Sequence, residues 1–277
     1  MSVAKHLTRL AVCSWSLQPK NPQDLADQLK AVGIKRTQLA LDPIRENPAV
    51  WGTCIQTLRG QGIEVVSGMM CCIGEDYSTL ESIRATGGLT PDPTWEGNLK
   101  NFTANAETMK KYGLKTALFH AGFLPHDKKD PNFAKMIKRL ETVADVFAAK
   151  GLTVILETGQ EPATALLDVL KTLNRPNVFS NLDPANMILY NQGEPVAALR
   201  TLGPYVRNLH IKDAVLTQAP GTWGSEVVVG TGQVNWKGFF QALDEIGFAG
   251  DPCIEREAGD QRVQDIRAAK QYLERLA

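Results

Sequence analysis

Short apolar runs alternate with longer amphipathic stretches along the whole chain. The runs are LAVCSWS (10–16), TQLALD (37–42), EVVSGMM (64–70), TALFHAG (116–122), TVILETG (153–159), VFSNLD (178–183), VRNLHIK (206–212) and PCIEREA (252–258). They are apolar on both faces, as strands of a parallel sheet covered by helices must be. Between them the periodicity predicts helices over about 22–32, 48–61, 97–112, 131–150, 161–173, 194–202, 236–246 and 260–276. A helix followed by G-[IL]-x and a strand recurs at Gly33, Gly62, Gly113 and Gly151. Each glycine can close its helix in the left-handed conformation.

Eight strands, each followed by a helix, make an α/β fold and predict a (β/α)8 TIM barrel as a single domain over 1–277. A doubly wound sheet fits less well, because no Gly-rich phosphate turn follows the first strand. Two connections are long, 71–96 and 213–235. Both follow strand C-termini, where barrels place their sites, and are expected to be lids or binding loops.

Thirty basic residues balance thirty acidic ones, with no concentrated basic field for nucleic acid or an anionic membrane surface. No segment has the uninterrupted apolar length of a membrane span. The N-terminal LAVCSWSL reads as a first strand rather than a signal peptide, and His6 ahead of it as a surface residue. Five cysteines without CxxC spacing are expected to be reduced, packed thiols of a cytoplasmic protein.

Four polar groups close four successive apolar runs: Glu157, Asp183, His210 and Glu255. Such groups are costly to desolvate unless positive charge meets them. Their joint placement suggests one divalent cation at the barrel mouth. Three carboxylates and an imidazole suit Mn²⁺ best, with Mg²⁺, Co²⁺ and Zn²⁺ also compatible. Strand alternation puts Lys212 on the face of His210, and Glu257 on that of Glu255.

From CSWSL (13–17) to IEREAG (254–259) the chain resembles the sugar phosphate isomerase/epimerase family, the xylose isomerase-like TIM barrels. The resemblance rests on LETG around Glu157, NLDPAN around Asp183, LHIKD around His210 and CIERE around Glu255. It implies that these four side chains hold one metal and that Glu157 and Glu255 move a proton on opposite faces of a substrate carbon. The ketose 3-epimerases of the family carry a histidine where this chain has Asn186 and a basic residue where it has Leu216. That departure counts against a ketohexose 3-epimerase, though Asn186 remains a candidate substrate contact.

Other candidate substrate contacts have plainer readings beside them. His120 can bind a substrate oxygen or be a satisfied core histidine. Lys212 can neutralise an oxyanion or form a salt bridge to Asp213, Glu157 or Glu255. Glu257 can join the second shell or pair with Lys212. Trp15 can stack on a sugar or fill the core, and Trp223 belongs to the expected lid. HDKKD (126–130) reads as a solvated loop.

The expected function is metal-dependent isomerisation or epimerisation of a small sugar or polyol-ketone through a metal-stabilised enediolate. A lyase or dehydratase of the same fold, acting on an inosose or 3-keto-glycoside, is the alternative. An endonuclease IV-like nuclease would need a multi-zinc cluster and many more than four histidines. The partner expected is a small carbohydrate, with no nucleic acid and no membrane. The barrel could act alone or as a homo-oligomer paired through its outer helices.

Overall fold

The computed structural model describes residues 3–277. Eight parallel strands close into a barrel: β1 (Ala11–Cys13), β2 (Arg36–Ala40), β3 (Glu64–Met70), β4 (Thr116–Phe119), β5 (Thr153–Glu157), β6 (Val178–Leu182), β7 (Val206–Ile211) and, last, β10 (Asp251–Ile254). The ring closes where β1 pairs with both β2 and β10. The four repeated glycines each follow a helix with φ between 68° and 74°, so the left-handed cap is real at all of them.

The main hydrophobic cluster lies between the strands and the outer helices, with Phe102, Phe119, Phe147, Phe239 and Phe240 among its fully buried members. A second, smaller cluster of Ala11, Cys13 and Cys253, with Trp15 and Val66 against it, fills part of the barrel interior. Among the described residues all five cysteines are free, and four are buried; Cys71 alone is exposed. No described helix is long and apolar enough to cross a membrane.

Several boundaries differ from expectation for identifiable reasons. The first strand stops at Cys13, and Ser14–Leu17 form a 3₁₀ turn. The hydroxyl of Ser14 accepts from the amide of Ala40, and that of Ser16 from the amide of Arg256. Serine side chains thus take over the links to both neighbours and free the backbone from the ladder. A short helix, Asp42–Glu46, comes first, and the helix expected over 48–61 follows as two pieces, Pro48–Trp51 and Cys54–Gly60. Pro48 resets the chain after the short helix. The helix expected from 97 begins at Asp92 with Pro93 in its first turn. His6 is not a surface residue: it is 4% exposed on a helix, Val3–Leu7, against Phe240 and Phe248, with Nε2 3.2 Å from Asp244.

The two long connections are structured. The first carries a helix, Leu80–Thr86, opened by a reciprocal capping box between Thr79 and Ser82. The second folds as an antiparallel hairpin of β8 (Asp213–Val215) and β9 (Ser225–Val227). Glu226 on β9 accepts from the amides of Glu257 and Ala258 and from Arg256, tying the hairpin to the end of β10.

Asp213, 1% exposed, organises the rest of that connection. Its carboxylate accepts from the amides of Ala214, Gly230, Gly232 and Val234 and from the indole of Trp236. Removing the shared acceptor of five donors, three of them on buried residues, is far costlier than losing one surface contact. Asp213→Ala should lower stability by roughly 3 kcal/mol, read from the urea midpoint. A variant with the parent midpoint would show that these donors find water instead.

Candidate metal centre and active site

Each candidate ligand is placed by a different element at the C-terminal end of the barrel. Glu157 is the last residue of β5, and His210 is on β7. Asp183 follows β6 and caps the short helix Pro184–Leu189. Glu255 follows β10, its amide donating to Ile211. One ligand atom from each of the four lies within 4.8 Å of all the others. His210 Nδ1 is 2.9 Å from Glu157, 3.2 Å from Glu255 and 3.6 Å from Asp183.

Two neighbours fix the orientation of this set. Asp183 Oδ1 accepts from the amides of Ala185 and Asn186, which leaves Oδ2 facing the cluster without a hydrogen bond. On the far side of the imidazole, Gln38 Oε1 sits 2.9 Å from His210 Nε2. The Gln38 amide donates to Asn208 Oδ1, and Cys13 Sγ donates to Gln38 Oε1. With its oxygen thus facing His210, Gln38 keeps a proton on Nε2 and directs Nδ1 at the three carboxylates, which against burial raise the imidazole pKa well above its ordinary value. A cation bound among them would take the place of the Nδ1 proton. That nitrogen makes no hydrogen bond either. Two buried, unpartnered ligand atoms in a ring of carboxylates fit a single cation.

Nothing in TQLALD announced this role for Gln38. A buried glutamine in an otherwise apolar strand was the available signal. Its partner lies on β7, across the barrel, and no local pattern encodes that contact.

Burial and charge set the protonation of the cluster. Burial pushes the Glu157 carboxyl up to about 7, opposed by His210. Burial acts on Glu255 in the same direction, but the positive charges of His210 and Lys212 outweigh it and hold that carboxyl below its ordinary value. Asp183 is lowered likewise, Lys212 and His210 overcoming burial. Lys212 rises well above its usual value despite burial because Glu255, Glu257 and Asp183 surround it. Its ammonium donates to Glu255, at 3.0 Å, and to Glu257, with Asp183 3.7 Å away. Asp213 is therefore not its partner. Glu257 is half exposed and pairs with Lys212 at the rim.

The remaining candidates divide. Trp15 does not stand over the mouth. Leaving β1 in the 3₁₀ turn, it directs its indole N–H to Glu255 Oε1 at 2.7 Å and meets the His210 ring edge-on. Asn186 lines the mouth, but its amide nitrogen donates to the carbonyl of Thr158. His120 is 7% exposed and lines the same cavity. Its Nδ1 accepts from the amide of Gly122, so the proton is on Nε2, which has no partner. Burial lowers its pKa to about 4, so at neutral pH it is a neutral donor. Trp223, from the β8–β9 connection, packs on Tyr190 with ring centroids 4.6 Å apart.

Of these groups Glu157, Glu255, Lys212, Glu257, His120, Asn186 and Trp223 line a cavity of about 510 Å³. Its wall also includes Met69, Tyr77, Leu189, Tyr190 and Glu226, none of which the sequence had singled out. Tyr77 reaches the mouth from the first long connection and meets His120 edge-on at 6.4 Å.

Comparison with known proteins agrees with this architecture. A "xylose isomerase domain protein" from Planctomyces limnophilus shares 31% identity and superposes with a TM-score of 0.83, over 90% of this chain and 91% of that one. The probable 3-DHS dehydratase AsbF of Bacillus anthracis shares the fold at 16% identity, with a TM-score of 0.72 over 96% of this chain and 98% of that one. An L-ribulose 3-epimerase from Methylomonas sp. (strain DH-1) is 26% identical over 141 residues, 48% of this chain and 46% of that protein. The chain spans less than half the length of the curated relatives it matches. The profile of the xylose isomerase-like TIM barrel matches residues 22–276, and the chain belongs to that family.

Proposed function

We infer that the barrel mouth is a divalent-metal site that isomerises or epimerises a small polyhydroxy-carbonyl compound by moving a proton beside the carbonyl. The observation that carries this reading is His210 Nδ1, directed by Gln38, converging with Glu157, Asp183 and Glu255. The oxygen-rich donor set favours Mn²⁺, with Mg²⁺, Co²⁺ or Zn²⁺ as substitutes. Once bound, the ion would supply the charge that lowers the cost of an enediolate. The L-ribulose 3-epimerase likeness supports a sugar as substrate, and five free cysteines suit a reducing cytoplasm.

The chain's own groups divide the work. Glu255, paired with Lys212, is the base, and Glu157, entering from a different strand, is suited to return a proton on the other side of the substrate carbon. His120 offers a neutral N–H to a substrate oxygen. Lys212 keeps Glu255 charged and balances the carboxylates around it. Elimination is the second reading, favoured by that unpartnered His120 donor, which could hydrogen-bond a departing hydroxyl. Product analysis separates the two: isomerisation conserves substrate mass, whereas elimination releases a second product.

Glu157→Gln and Glu255→Gln should each reduce solvent-deuterium exchange into ketose substrates by at least about a thousandfold while leaving the circular dichroism unchanged. A folded variant that exchanges at the parent rate would remove the proposed roles. Metal affinity provides a test by pH. The metal-free protein holds a proton at Glu157 below about pH 7 and another at His210, whose pKa the carboxylates raise, against burial, well above its ordinary value; both must leave when a cation binds. Affinity should therefore climb from about pH 6 to about pH 8, with proton release visible by calorimetry in buffers of different ionisation heat. A flat profile would contradict the shared site.

Gly159 tests the role of His120. A β-carbon there would fall 2.2 Å from His120 Nε2. Gly159→Ala should displace the imidazole and cost about a hundredfold in exchange rate, with metal affinity unchanged. Parent-level exchange would show that the ring's position is immaterial.

A further inference from the structure

A second cavity, of about 600 Å³, adjoins the first at Tyr190, which lines both. We propose that it is a subsite for a second sugar ring, so that the substrate is a keto-sugar carrying a glycosyl group rather than a free monosaccharide. This rests on the reading of the mouth as a sugar site and specifies its substrate class.

The same chain segments that build the first cavity also build the second. After β3, Tyr77 faces the first, and Leu80, Glu81 and Arg84 on helix Leu80–Thr86 face the second. After β4, His120 is followed by Phe123 and His126; after β5, Glu157 is followed by Gln160. After β6, Asn186 and Leu189 are followed by Gln192, and in the β8–β9 connection Gly221 precedes Trp223. A substrate reaching from one cavity to the other would touch five connections in turn. Both unusually long ones are among them.

The chemistry of the wall suits a neutral polyol. Gln160 is 6% exposed, and its amide nitrogen has no hydrogen-bond partner. A buried donor without an acceptor is costly unless a ligand or solvent supplies one. Tyr190 and Phe123 offer aromatic surface to C–H faces. The face of Arg84 is covered by Phe123 at 3.9 Å, and Glu81 lines the same space, so a phosphate would meet a carboxylate there. Volumes of this order accommodate small organic ligands, about 300–1,000 Å³.

Titration calorimetry on the Mn²⁺-loaded protein tests the proposal with the keto-disaccharides lactulose and palatinose, with D-fructose and with D-fructose 6-phosphate. At least one disaccharide should bind about tenfold or more tighter than fructose. That ratio should collapse toward one in Gln160→Leu, which removes the buried donor, and in Gln192→Trp, which fills the space. Equal affinities, a preference that survives both substitutions, tighter binding of the phosphate, or no binding of any of the four would overturn the subsite. Deuterium exchange into the same sugars reports on the mouth separately. Binding preference without exchange would leave the subsite standing and remove the proposed reaction, whereas exchange without preference would do the reverse.

Discussion

The site depends on concentrated negative charge withdrawn from water. Asp183 and Glu255 are almost wholly buried, and Glu157 nearly so. An uncompensated ion in such a place costs several kcal/mol. Buried Lys212 and the imidazole of His210 offset part of that charge, and a cation beside His210 Nδ1 would offset the rest. The barrel's contribution is geometric. Four strand ends bring the carboxylates and the imidazole to one point, and a fifth element, β2, sends Gln38 across the interior to orient the ring. Without that amide, nothing would reserve Nε2 for a proton and Nδ1 for an ion.

Separate parts of the fold serve chemistry and recognition. The groups suited to proton transfer stand at strand ends, where neighbouring strands restrain them. The aromatic wall comes from connections: Tyr77, Tyr190 and Trp223 all lie beyond the barrel strands. Glu226 joins the two parts, because it ties the β8–β9 hairpin to the backbone immediately after Glu255. The hairpin is therefore tethered to the site rather than free to swing over it.

Much of this was legible in the chain, and what was not has definable causes. Eight apolar runs with glycine-terminated helices between them specify the barrel, because period and length are local properties. The four ligand candidates were visible because each ends an apolar run with a group that resists burial. The break after Cys13 was hidden because it depends on Ser14 and Ser16 reaching neighbouring strands. The contact of Trp15 was hidden for that reason: once the chain leaves the ladder, its indole N–H reaches Glu255 while the ring packs on the small interior cluster. Gln38 was passed over because its significance depends on a residue 172 positions away. Lys212 was placed on the face of His210 with Glu255 and Glu257 among its offered partners, and Asp213 drops out because five donors already occupy it.

Asp183 divides its two oxygens between separate tasks, one closing the end of helix Pro184–Leu189 and the other facing the cluster. A carboxylate committed in this way can offer only a single lobe to an ion, and it cannot rotate to chelate. For an ion bound there, the helix would limit what Asp183 contributes and leave positions open to ligands from solution. Lengthening the side chain by one methylene would disturb the secondary structure and the electrostatics of the mouth in one step, which makes local folding and inorganic chemistry inseparable at this residue.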